Sequence, residues 1–289
     1  MKIKKYAIGA MAAGAAAIMC SEYEKKHLEV VNYEIKTPKL QSASGMKAIF
    51  LSDLHCNSFG EENEELLMAI NHEKPDIILI GGDMLIVKEW QKPDFSQLEQ
   101  LFEKLSEKYP VYYALGNHEQ RMKEEAATYP GWWEAYKEIL KKSSVKMLVN
   151  KSAIVKKNGQ TIRISGITLP HECYRKGRVP KISEGYIRSR IGRSSDDEYE
   201  ILLAHSPLFA DAYADWGADL VLCGHFHGGT IRLPILGGIM TPQLQFFSKL
   251  SRGCVIRKNT RLIISGGLGT HSINIRLNNR PQLVVLNWS

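Results

Sequence analysis

The chain has 289 residues, 44% hydrophobic and 24% charged, a balance that excludes a disordered chain and allows one large α/β core. Its net charge is +7, of which five Lys against two Glu in residues 1–27 supply +3. Such a mildly basic body suits an anionic substrate or membrane surface, and no basic helix or arginine–aromatic ladder points to nucleic acid.

The N-terminus reads Met1-Lys2-Ile3-Lys4-Lys5 and then an Ala/Gly-rich apolar run from Tyr6 to Cys20. A basic segment before 15 apolar residues is the pattern of a signal peptide or short membrane anchor. The run is shorter than the roughly 20 residues of a comfortable spanning helix. Ala15-Ala16-Ala17 offers a cleavage site, and a helix docked on the domain is the alternative. Cys20 offers a lipid acceptor, although Met19 is bulky for one. Residues 1–27 are therefore expected to be a signal or anchor, 28–45 a tether, and 46–289 the folded domain. The lysines predict a domain held at the cell membrane, outside the cytoplasm.

Met46–Ser52 reads as the first strand and ends in Asp53-Leu54-His55. Residues 61–73 have helical spacing. Pro75–Ile80 is an apolar strand that ends in Gly81-Gly82-Asp83. A helix over 95–108 precedes a strand at 111–115, which ends in Gly116-Asn117-His118-Glu119. Residues 132–142 form a third helix. This β-α-β-α-β-α order predicts sheet strands covered by helices.

In the second half, residues 153–166 alternate around Asn158-Gly159, a hairpin signal. Residues 170–198 read as loop with a short helix. A strand over 199–204 ends in His205, and one over 219–223 ends in Gly224-His225-Phe226-His227. The loop Thr230–Gly253 carries Leu233, Ile235, Leu236, Leu244, Phe246 and Phe247, and reads either as a wall of the site or as a flap on the core. A hairpin over 254–265 and a closing strand over 282–287 follow. The five cysteines show no CxxC pair and no regular spacing, so no disulfide framework is expected.

Any one of these clusters can be read as a capped turn or a satisfied core histidine. Together they place five of the nine histidines at strand ends, in company with Asp53, Asp83 and Asn117. His225 and His227, two apart, project to one side of an extended chain. A mixed oxygen and nitrogen donor set suits Mn, Fe or Zn, and a pair of such ions would need a bridging carboxylate.

The five parts, Asp53/His55, Gly82-Asp83, Gly116-Asn117-His118-Glu119, His205 and Gly224-His225-Phe226-His227, resemble the signature of the calcineurin-like metallophosphoesterases, and the later glycine-rich stretches resemble its small bacterial membrane-associated phosphodiesterases. The resemblance implies a two-sheet β-sandwich flanked by helices, in four αββα layers. It implies two divalent transition-metal ions, one held by Asp53, His55 and His227, the other by Asn117, His205 and His225, with Asp83 bridging. It also implies in-line attack on phosphorus by a metal-activated hydroxide, with His118 as the acid or phosphoryl donor and Glu119 orienting a neighbour. Arg232, His271 and Arg276 are the substrate-side candidates, and for each a place on the surface or behind the ligands is the alternative. The activity implied is hydrolysis of a phosphodiester or pyrophosphate, on a cell-envelope or lipid-linked substrate. A broad phosphomonoesterase and a non-catalytic metal-binding scaffold are the alternatives.

Overall fold

The computed structural model describes residues 2–43, 45–177, 180–270 and 273–289. Strands β1 (Glu29–Ile35), β2 (Lys47–Leu51), β3 (Ile77–Ile80), β4 (Val111–Tyr113) and β5 (Lys146–Met147) form one sheet together with the C-terminal strand β14 (Gln282–Trp288). Their order is β1-β14-β2-β3-β4-β5, parallel except where β14 meets β2. The second sheet holds β6 (Lys151–Lys157), β7 (Gln160–Ile167), β8 (Tyr199–Ala204) and β9 (Leu220–Cys223). A short ribbon of β10 (Arg232–Leu233) and β11 (Gly237–Gly238) interrupts the chain before β12 (Gly253–Arg257) and β13 (Thr260–Ile264) complete that sheet, in the order β12-β13-β9-β8-β7-β6.

Strand alternation builds the layers. In β2, Ala48 and Phe50 point between the sheets, whereas Ile49 and Leu51 point to the helices; β3 repeats this with Leu79 against Ile78 and Ile80. The inter-sheet layer adds Ile162, Ile164, Leu203, Leu222 and Ile263 from the second sheet. Helices α2 (Glu64–Glu73), α3 (Ser96–Ser106) and α5 (Trp132–Lys142) cover the first sheet. Helices α6 (Glu184–Ile191) and α7 (Ala210–Trp216) cover the second. The four-layer αββα sandwich is the expected architecture. Helix α4 (Asn117–Glu124), which opens on the Asn117-His118 pair, was not predicted.

The expected tether over 28–45 needs correction. Residues 29–35 pair with β14 from Glu29↔Gln282 to Ile35↔Trp288, and Tyr33, Ile35 and Leu40 join the inter-sheet core. Asn32 and Glu34 made this edge strand look polar, but they occupy its outward face. Before it, α1 (Lys2–Lys26) is one continuous helix, exposed along Met11–Ala16 and docked by its last turns, where Ser21 and Glu24 are buried. No helix among the described residues is long and apolar enough to cross a membrane.

The turns after β3 and before α4 touch backbone to backbone. A Cβ on Gly82, which has φ +89°, would lie 1.9 Å from the Gly116 nitrogen. Gly131 has a similar φ of +75° but open space around it. Gly82→Ala should therefore cost about 3 kcal/mol or more, from strain and overpacking together. Gly131→Ala should cost about 1 kcal/mol, from strain alone. Urea unfolding of the two variants measures the difference; equal losses would contradict the close approach.

Candidate metal centre

The ends of β2, β3, β8 and β9 meet the first turn of α4 at one edge of the sandwich, where α/β sheets present their loops. Asp53, His55, Asp83, His225 and His227 all adopt left-handed backbone conformations, with φ between +47° and +68°. Non-glycine residues adopt these at a cost of order 1–3 kcal/mol each, and a cluster of them marks a functional site. Here the strain turns successive side chains inward. Backbone pairings hold the turns in place: Asp53 N–H donates to Gly82 O at 2.9 Å, His55 N–H to Asp83 O at 3.1 Å, and Gly224 N–H to His205 O at 3.0 Å.

The side chains converge. Asp83 Oδ2 lies 3.2 Å from His205 Nε2 and 3.9 Å from His55 Nε2. Asp53 Oδ1 lies 3.5 Å from His227 Nε2, 3.7 Å from His205 Nε2 and 3.9 Å from His55 Nε2. The outer nitrogens are fixed: His205 Nδ1 donates to Gly81 O at 2.8 Å and His227 Nδ1 to Gly269 O at 3.1 Å. A neutral ring held this way aims the Nε2 lone pair inward. Asn117 Oδ1 and His225 Nε2 are buried with no hydrogen-bond partner. Oxygen and nitrogen acceptors that face one another out of water need cations between them.

Two groupings fit that need. Donor atoms of Asp53, His55 and His227 lie within 4.8 Å of one another, and so do those of Asp83, His205 and His225. A third grouping, His55, Asp83 and His118, meets the same limit and places His118 beside the same centre. Together the groupings gather Asp53, His55, Asp83, His118, His205, His225 and His227 at one centre.

Burial and mutual attraction set the charges of the cluster's own groups. Burial works to raise the Asp83 carboxyl, but His205, His118 and His55 hold it well below its ordinary value. Burial pushes Asp53 up to about 6, with Asp83 adding to the rise and His205 opposing it. Burial tends to strip His205 of its proton, but Asp83 and Asp53 outweigh that and raise it to about 10. Burial and the charge on His205 lower His225 to about 3.

Glu119 organises the turns. Its oxygens accept Asp83 N–H at 2.9 Å, Met84 N–H at 2.8 Å, Gly116 N–H at 3.0 Å and the Tyr113 hydroxyl at 2.6 Å. The Gly116 contact is the return half of a capping box. Burial and nearby Asp83 push its carboxyl up to about 7, against the pull of the Tyr113 hydroxyl and the Asp83 amide. The N–H of His118, in the first turn of α4, donates to Asp83 Oδ1 at 2.8 Å. Val87 N–H donates to His118 Nδ1 at 3.0 Å, so a neutral His118 carries its proton on Nε2.

Two clefts open on the centre. A polar one of about 270 Å³ is lined by Asp83, Asn117, His118, His225 and His227 together with Arg121, His171, Tyr174, Arg175, Lys176 and Gln243. An adjoining one has an apolar wall of Met240, Leu244, Ile273 and Ile275 alongside Thr230, Thr241, Thr270 and Arg276, and shares His227, Lys176 and Pro242 with the first. Sequence reasoning missed the cationic rim. Arg121 stands four residues after Asn117, one helical turn along the same face, and was readable once the motif is placed on a helix. Residues 171–176 lie in a segment with no periodic signal.

The three substrate-side candidates take different places. Arg232 donates to Gly228 O and Ser251 Oγ and braces its loop. Arg276 is 1% exposed, and its guanidinium is taken up by the carbonyls of Gly266, Gly267, Gly269 and Asn279. Arg276 thus braces the loops beneath the site through both Nη atoms, while the residue also lines the cleft formed by Met240, Leu244, Ile273 and Ile275. His271 lies outside the described residues.

Comparison with known proteins agrees with this geometry. The chain is 26% identical to the metallophosphoesterase YkuE of Bacillus subtilis over 96% of its own length and 92% of that relative's. It is 26% identical to the phosphodiesterase YaeI of Escherichia coli, over 85% and 83%. A metallophosphoesterase of Campylobacter jejuni is 27% identical over 89% of this chain, which spans 65% of that longer relative. The calcineurin-like phosphoesterase family matches residues 46–229, which include all the clustered aspartates and histidines described above, and the chain belongs to that family.

Proposed function

We propose that the protein hydrolyses a phosphodiester or pyrophosphate whose leaving portion is apolar, at a membrane surface. The observation that carries the substrate class is the pair of clefts, one cationic and one with an apolar wall, which share His227 and Lys176. The phosphodiesterase name of the Escherichia coli relative supports diester chemistry.

Asp53, His55 and His227 would hold one divalent ion and Asn117, His205 and His225 the other, with Asp83 between them. When bound, two such ions offset phosphoryl charge and activate water for attack at phosphorus. Arg121, Arg175 and Lys176 gather the anion at the mouth of the polar cleft. His118 Nε2–H, oriented by Val87 N–H, protonates the departing oxygen. Met240, Leu244, Ile273 and Ile275 receive an acyl or prenyl chain. Membrane contact comes from the exposed apolar stretch of α1, which includes Met11, Ile18 and Met19, and from the lysines that precede it.

Metal uptake is the first test. Protein purified without chelator should hold close to two transition-metal ions. Loading the metal-free protein at pH 7.5 should release at least one proton per chain. The sign follows from His205: its proton is held up to about 10 without metal and must leave before Nε2 can ligate. Affinity should accordingly fall as pH falls. Isothermal calorimetry in buffers of different ionisation enthalpy reads the proton count; uptake of one ion or fewer with no proton release would refute the assignment.

Asp83→Asn should weaken both ions together. His118→Ala should keep both and lower turnover on the order of 10²–10⁴-fold. Metal content and turnover measured on one preparation separate the two effects, and normal turnover in His118→Ala would remove its role as acid.

The apolar wall is tested by Leu244→Ser/Ile273→Ser, both exposed positions at its rim. The double change should lower kcat/KM for a lipid-linked diester by about tenfold or more, from lost burial. It should leave a water-soluble bis-aryl phosphate unaffected. Equal effects on both substrates, or none, would remove the lipid-binding reading, and a preference for aryl monophosphate would favour the monoesterase alternative.

A further inference from the structure

The docked end of α1 reaches the metal centre through a continuous set of hydrogen bonds. Glu24 is 7% exposed, and its two carboxylate oxygens accept consecutive backbone amides, Asn278 N–H at 3.0 Å and Asn279 N–H at 2.8 Å. One turn earlier, Ser21 Oγ accepts Arg276 N–H at 3.1 Å. These contacts fix the segment 276–279 from outside. From inside, two side chains of that segment hold the turn that carries His227. Asn279 Nδ2 donates to His227 O at 2.7 Å and Thr230 O at 3.2 Å. Arg276 Nη2 donates at 2.6 Å to Gly269 O, the same carbonyl that takes the His227 Nδ1 proton. Gly269 N–H in turn donates to Asp53 O at 2.6 Å.

We infer that Glu24 is a positioning residue for the ion held by Asp53, His55 and His227. It makes the last turns of α1 a brace of that half of the centre. The inference rests on the metal assignment above and goes beyond it, because it gives the N-terminal helix a role inside the domain. Partners that orient a ligating histidine through its second nitrogen typically change metal affinity by about 10–100-fold when removed. The brace touches only one half of the pair. His205 takes its orientation from Gly81 O, on the other side of the site, and owes nothing to residues 276–279. The brace begins at Ser21, so a cut at Ala15-Ala16-Ala17 would leave it in place, whereas a cut after residue 27 would remove it.

The test uses the full chain loaded with zinc. Chelator is added and zinc release is followed with a chromophoric indicator. Glu24→Ala should speed release of one equivalent by about tenfold and leave the other at the wild-type rate. Glu24→Gln keeps one carbonyl acceptor and should fall between the two. Ser21→Ala should act in the same direction more weakly, and Lys26→Ala, exposed on the same helix, should match wild type. Thermal unfolding of the metal-free Glu24→Ala form should fall modestly, since two amides lose their acceptor, while the other variants stay near wild type. Wild-type release of both equivalents from Glu24→Ala would overturn the brace. So would faster release of both in step with a lowered midpoint of the metal-free protein, since that marks general loosening. Wild-type protein that takes up no zinc would overturn the metal assignment itself, and is distinguished by failing before any variant is compared.

Discussion

One buried carboxylate, Glu119, ties together the two turns on which the centre depends. Asp83 sits on a glycine-rich turn with its φ at +52°, a conformation that does not persist unaided. Glu119 accepts the amides of Asp83 and Met84 on that turn and of Gly116 on the next. Tyr113, itself bonded to Tyr136 at 2.8 Å, anchors the carboxylate from the α5 side. The strain at the metal-binding residues is thus offset by satisfied donors behind them. Substitution of Glu119 would leave buried amides without an acceptor, a cost of about 1–3 kcal/mol for each.

The centre has two halves with different support. His205 directly follows β8 and its ring is held by Gly81 O, on the turn after β3. His227 stands four residues beyond β9, and its ring and carbonyl are held by Gly269 O and Asn279 Nδ2. A strand end thus supports the first histidine and a hydrogen-bonded set of loops the second. Arg276 is buried on that second side, with no carboxylate in salt-bridge contact among the described residues. Four carbonyl oxygens replace the counter-ion, and burial still lowers its guanidinium to about 10.

The site was largely legible in the sequence because each of its parts is local. A strand that ends in an acid and a histidine, a Gly-Asn-His-Glu turn and an H-x-H pair are read within a few residues. Both hairpins were equally local, with positive φ at Asn158 and Lys258 where their turns need it. What was not legible depends on distant pairings. β14 inserts between β1 and β2, which no window of sequence shows. The strand at 29–35 was hidden by Asn32 and Glu34 on its outer face, so a tether was read where an edge strand stands. Arg276 was read as substrate-side because a lone arginine near a glycine-rich stretch gives no sign of being buried. The cationic rim from 171–176 lies on irregular backbone, where residue type alone does not say which way a side chain turns.

The central claim is that two ions share Asp83. Electron paramagnetic resonance of the manganese-loaded protein tests it most directly, because two ions bridged by one carboxylate are exchange-coupled. The account predicts the multiline spectrum of a coupled pair, collapsing to a six-line mononuclear signal in a protein carrying one equivalent. A six-line spectrum at two bound equivalents, with no coupling at any loading, would contradict it.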